Sequence, residues 1–199
     1  MRIGLDCDGI LADFLHEFAK VVATFTDKEF DYNTWGLGLT DKEMDKAWEI
    51  VRGIHNFWMS LPSYRENVHA VAVHRATYPN DEIFYCTSRV PTAGMPVMHQ
   101  SQEWLKANGI YGLGTSVIVK PSKVEKDEIY RAIGVTRAID DYGPACGDMI
   151  DCLDRPWNQK DTDTTVTRYK DLAEFLTSCH EHPSTFAKSG TKGMPALVE

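Results

Sequence analysis

Three carboxylates crowd the start of the chain, in the run Arg2-Ile3-Gly4-Leu5-Asp6-Cys7-Asp8-Gly9-Ile10-Leu11-Ala12-Asp13-Phe14. A short apolar run ends at Asp6, Asp8 follows one residue later, and Asp13 stands five residues beyond Asp8. Alternate residues of a strand share a face, so Asp6 and Asp8 can be aimed together where a strand ends. Gly9 lets the backbone turn sharply there. Two convergent carboxylates offer hard oxygen ligands to a cation, and also a nucleophile beside a proton carrier. A glycine-flanked aspartate pair can equally be a polar turn behind an edge strand. What decides is whether the rest of the fold delivers partners to it.

Candidate partners occur later, in Thr87-Ser88-Arg89, in Ile139-Asp140-Asp141 and among Lys120, Lys123 and Lys126. Thr87 offers a hydroxyl at a strand end, and Ser88 can also cap the helix that follows. Lys126 has apolar residues three, four and seven positions later (Ile129, Tyr130, Ile133), which places it at a helix start. Lys123 is the next choice, and Lys120 reads as a surface residue at the end of its strand. Asp140 would bind a cation directly and Asp141 would orient the shell around it. The seven histidines show no spacing typical of a zinc site, and none is assigned to one.

These residues need strands that end together. The first strand starts at residue 2, and apolar residues at helical spacing follow over 14–25. Thr40-Asp41-Lys42-Glu43 is a capping-box signature for a second helix. A third helix is expected over residues 66–77. Strands over 82–86, 116–119, 137–139 and 149–153 then alternate with helices around residues 97–107, 129–133 and 170–179. This alternation predicts an α/β fold, a doubly wound, mostly parallel sheet in which ligands bind beyond the carboxyl ends of the strands. Asp6, Thr87 and Asp140 fall at such ends. Residues 15–80 interrupt the alternation and are expected to form a helical cap, leaving 1–14 and 81–179 as the core. Residues 180–199 read as a loose tail.

The pattern Asp-x-Asp-Gly-x-x-x-Asp, with Thr87, a helix-start lysine and Asp140 following in order, resembles the haloacid dehalogenase-like phosphohydrolases. Asn56-Phe57-Trp58, Leu61-Pro62, Cys86-Thr87-Ser88-Arg89 and Leu153-Asp154-Arg155-Pro156-Trp157-Asn158 are similar to the 5′(3′)-deoxyribonucleotidase branch and its phage and bacterial relatives. The resemblance spans residues 1–178. It implies that Asp6 attacks phosphorus and that Asp8 carries the proton. It implies that Thr87 and Lys126 hold or neutralise the phosphoryl group. Mg²⁺ would be bound by Asp6, the backbone carbonyl of Asp8, and Asp140. Ser88 and Arg89 become phosphate-side candidates, and Phe57 and Trp58 base-side candidates. Aromatics in a helical cap are also ordinary packing residues. Trp35, Trp48 and Trp104 are expected in the core, and Trp157 and Asn158 either beside the site or capping a turn. The implied substrate is a small phosphorylated molecule, a deoxynucleoside monophosphate first. A nucleic-acid 3′-phosphate end, a phosphosugar, or a non-catalytic binding role are the alternatives, and a homodimer is left open.

Composition narrows the classes. The chain has 199 residues, 43% hydrophobic and 25% charged, which suits one sizeable globular core. A net charge of −8 argues against general nucleic-acid binding, which calls for a basic surface. The odd number of cysteines, five, with no C-x-x-C pair, fits a reduced, cytoplasmic protein. No signal peptide is expected ahead of a strand that begins at residue 2. No apolar run is long enough to span a membrane.

Overall fold

A computed structural model describes residues 1–160 and 165–181. Six parallel strands form one sheet: β1 (Arg2–Leu5), β2 (Glu82–Thr87), β3 (Thr115–Val119), β4 (Arg137–Asp140), β5 (Ile150–Leu153) and β6 (Arg168–Tyr169). Their spatial order is β3-β2-β1-β4-β5-β6. This is a doubly wound, Rossmann-like sheet, and its strand order reverses between β1 and β4. The two-residue β6 was not visible in the sequence, because so short an edge strand leaves no periodicity to read.

Strand alternation sorts side chains to two faces. Ile3, Leu5, Ile83, Tyr85 and Ile139 join the larger core. Cys86, Ala138 and Ile150 face the other side, with Tyr130. That residue belongs to α5 (Lys126–Ala132), which covers the smaller face. Gly4 makes this possible, since a Cβ there would meet the Tyr130 ring at 2.6 Å. The larger face is covered by α3 (Arg65–Thr77), α4 (Val97–Ala107) and α6 (Leu172–Glu181), through Val71, Trp104, Leu105 and Phe175.

The helical segment between β1 and β2 also contains α1 (Phe14–Val22) and α2 (Asp41–Gly53). Thr40 caps α2 with the capping box read from the sequence: its Oγ1 accepts from Glu43 N, and the Glu43 carboxylate accepts from Thr40 N at 2.8 Å. α1 and α2 pack against each other, whereas α3 packs beside α6 on the flank of the sheet. The hydrophobic core runs without a break from the sheet into α1 and α2. Helix α6 extends to Glu181, past the point where a tail was expected, and the rest of that tail lies outside the described residues. Among the described residues, no helix is long and apolar enough to cross a membrane. All five cysteines are free thiols.

Candidate active site

The carboxyl ends of β1, β2 and β4 meet where the strand order reverses, and each delivers a functional group. Asp6 follows β1 directly and its amide donates to Ile139 O at 3.1 Å, which ties it to β4. Asp140 ends β4 and Thr87 ends β2. Lys126, the first residue of α5, places Nζ 2.7 Å from Asp6 Oδ1 and 2.6 Å from Asp140 Oδ2. The apolar spacing behind Lys126 therefore identified the lysine that reaches the cluster. Lys120 instead donates to Val124 O at 2.8 Å, and Lys123 is exposed.

Asp6, Asp140 and Asp141 bring carboxylate oxygens within 4.8 Å of one another, all buried. Burial pushes the Asp6 carboxyl up to about 7; Lys126 opposes this, and Asp140 and Asp8 add to it. Asp141 is raised well above the usual carboxylate range, by burial first and then by Asp140 and Asp6. With all three carboxylates ionised, the single ammonium would leave two negative charges in a nearly dry site, which is why Asp6 and Asp141 hold their protons so firmly in its metal-free form. A divalent cation has the charge and oxygen preference to offset that excess.

The two aspartates of the β4 end differ in what they still offer. Asp140 accepts at both oxygens: Oδ2 takes Lys126, and Oδ1 takes the Tyr142 amide at 2.9 Å. Asp141 Oδ1 is buried without a hydrogen-bond partner. Its other oxygen accepts from Trp157 Nε1 at 2.8 Å, and Asn158 Nδ2 holds its backbone carbonyl at 2.8 Å. Asp140, expected to bind a cation directly, and Asp141, expected to orient the shell, both stand with Asp6 in the ligand cluster, and Asp141 also carries the oxygen without a partner. Gly9 (φ +83°) is the cradle for this arrangement, because a Cβ there would run into the Asp141 carboxylate. Arg155 fixes the same turn by donating from Nε to Gly9 O at 2.7 Å.

Asp8 is held separately. Thr87 Oγ1 donates to its Oδ2 at 2.9 Å, and Arg89 donates from Nε to Oδ2 at 3.0 Å and from Nη2 to Oδ1 at 2.8 Å. Arg89 is buried, spends Nη1 on Ser101 Oγ at 2.9 Å, and lies 4.9 Å from the Trp58 ring centroid. Thr87 and Arg89, expected on the phosphate side, thus both point at Asp8. The single hydroxyl proton of Thr87 and the guanidinium fork of Arg89 are committed to Asp8. Ser88 is exposed at the cleft. Asp13 does not join the cluster; it caps α1 and accepts from Tyr64 Oη at 3.0 Å.

A cleft of about 830 Å³ opens over Asp6, Asp8 and Lys126, within the range of small-molecule sites. Its aromatic wall is Phe14, Trp35, Trp48 and Trp58. Phe14 and Trp48 lie near parallel, 13° apart with centroids at 5.7 Å. Two expectations change here. Phe57 is 2% exposed and belongs to the core rather than the cleft wall. Trp35 and Trp48, expected in the core, line the cleft, while Trp104 is buried as expected. Periodicity cannot separate an aromatic that faces a core from one that faces a cavity within that core. Trp157 and Asn158 stand beside the site, one of the two placements expected for them, whereas Arg155 was missed as a site residue because its target, the Gly9 turn, is distant in sequence.

If Arg89 positions Asp8 instead of gripping phosphate, Arg89→Met should lower kcat by about 10²-fold on substrates with an alcohol leaving group. KM should change little, and an activated aryl phosphate should be spared. Steady-state kinetics on the two substrate types checks this; a raised KM shared by both would return Arg89 to the phosphate.

No family model matches the chain, and no curated protein matches it.

Proposed function

We propose that this chain is a Mg²⁺-dependent phosphomonoesterase working through an aspartyl-phosphate on Asp6, in the manner of the haloacid dehalogenase-like phosphohydrolases it resembles. The observation that carries this reading is the buried set of Asp6, Asp140, Asp141 and Lys126 at the reversal of strand order, two charges short of neutrality once its carboxylates are ionised and open to a cleft. Asp6, Asp141 and the backbone carbonyl of Asp8 would hold the cation. When bound, it offsets charge between an anionic nucleophile and an anionic ester and holds them in line.

The remaining steps belong to this chain's own groups. Asp6 attacks phosphorus with its oxygen beside Lys126, whose ammonium is shared with Asp140. Asp8, held through both oxygens by Thr87 and Arg89, gives a proton to the leaving oxygen and then takes one from the attacking water. Ser88 is the exposed hydroxyl that meets the phosphoryl group. The half-buried rings of Trp35 and Trp48, backed by the buried Phe14 and Trp58, offer flat apolar surface to a nucleobase. This supports deoxynucleoside monophosphates as the substrate class over a phosphosugar, which has no aromatic base to stack.

Phosphate release across nucleoside monophosphates and phosphosugars, with Mg²⁺ and with chelator, tests the reading. Mg²⁺-dependent release with nucleotides preferred is expected. Preference for phosphosugars would overturn the substrate class, and no release from any ester would overturn the enzyme.

Metal removal gives an expectation independent of turnover. The folded Asp6 carboxyl, at about 7, sits above its ordinary value, so between about pH 4 and 7 the folded state keeps a proton that the unfolded chain has released. The chelated protein should therefore lose stability as pH rises through that window. Mg²⁺ should restore it, most strongly above about pH 7, where the Asp6 carboxyl is ionised. Thermal melts with and without Mg²⁺ across that range check this; an effect equal at every pH would contradict it.

A further inference from the structure

A second convergence of ligand-type side chains lies away from the cleft, on the flank of the sheet. His74 comes from the last turn of α3, Asp81 from the turn before β2, and His180 from the end of α6. Both imidazoles aim Nε2 at one oxygen, Asp81 Oδ2, at 3.1 Å from His74 and 2.7 Å from His180. The amine of Met1 donates to the other oxygen of Asp81. The three ligand atoms lie within 4.8 Å of one another. Ligands of a tetrahedral ion with bonds of about 2.0–2.1 Å stand roughly 3.3 Å apart, so small shifts would admit one. Tyr78 fixes the His180 ring, stacking on it at 3.6 Å and 9°. His74 is buried, so its ring is held in place by the packing around it.

We propose that His74, Asp81 and His180 form a second cation site that takes a borderline transition metal, Zn²⁺ first, and clips α6 onto the junction of α3 and β2. Two imidazoles and one carboxylate select such an ion over Mg²⁺, which prefers an all-oxygen shell. Water completes the coordination. The role is structural: the ion ties the last described helix to an element about a hundred residues earlier in the chain. It does not depend on the phosphatase reading.

The test uses the full chain, stripped with chelator and returned to excess Mg²⁺ so that the carboxylate cluster is filled. Titration with Co²⁺ should give the visible absorption of a nitrogen-ligated, low-coordinate ion, and one equivalent of Zn²⁺ should abolish it. Zn²⁺ should also raise Tm by several degrees. His180→Gln keeps an N–H for Asp81 but is a poor metal ligand. It should fold with a near-wild-type metal-free Tm, bind Zn²⁺ at least tenfold more weakly, and lose the Co²⁺ band. His180→Ala should lose the band as well. Absence of the band in wild type, or its survival unchanged in His180→Gln, would overturn the site and leave a closed hydrogen-bond network around Asp81.

Discussion

Replacing Asp6 with asparagine is expected to abolish phosphate release, by on the order of 10⁴-fold or more, while the fold persists. The asparagine side chain can still accept from Lys126, but its amide oxygen is no nucleophile. The substitution also removes a desolvated charge, since burial already pushes the Asp6 carboxyl up to about 7. The metal-free variant should therefore melt no lower than wild type at neutral pH, the usual mark of a residue kept for function against stability. Paired measurements of phosphate release and thermal melting decide it. Near-wild-type turnover by a folded, Mg²⁺-saturated Asp6→Asn protein would remove Asp6 as the nucleophile.

Lys126→Met should damage both activity and stability. Nζ is the shared partner of Asp6 and Asp140, at 2.7 and 2.6 Å, and the side chain is only 9% exposed. Removing one member of a buried ion pair costs about 3–5 kcal/mol, because the partner charge is left uncompensated. Here two carboxylates lose the same cation. Without it the Asp6 carboxyl rises further, so the ionised nucleophile needs a higher pH. The acid limb of the pH–rate profile should move upward, and turnover at neutral pH should fall by about 10²–10⁴-fold. Lys123→Ala should be close to neutral, since that side chain is exposed. Equal losses in the two variants, or an unmoved acid limb in Lys126→Met, would show that Lys126 only packs α5.

Much of this molecule was legible along the chain because its signals are local. An apolar run closed by Asp6-x-Asp8-Gly9 marks a strand end by composition alone. The capping box at Thr40 and Glu43 marks a helix start, and the apolar residues behind Lys126 mark another. Alternation of such elements specifies a parallel sheet, and a parallel sheet gathers its strand ends along one edge. The meeting of Asp6, Thr87, Lys126 and Asp140 follows from that rule with no knowledge of any contact.

What the tertiary structure decided is how each polar group is used, which depends on neighbours far away in sequence. Asp140 and Asp141 are adjacent and chemically identical. Only the positions of Lys126, the Tyr142 amide and Trp157 give one a partner on each oxygen and leave the other with a bare oxygen. Arg89 reads as a phosphate-side candidate from its place after Thr87-Ser88, and only the fold shows its guanidinium set against Asp8. Phe57 and Trp48 are equally aromatic, yet the packing of α1 and α2 turns one into the core and the other toward the cleft. His74 and His180 carry no metal-like spacing, and only the packing of α3 beside α6 brings them to the same oxygen. Residue type and spacing determine which groups can do chemistry and at which strand ends they stand; three-dimensional packing determines which of their atoms remain free to do it, because each hydrogen bond formed withdraws a donor or a lone pair from the substrate.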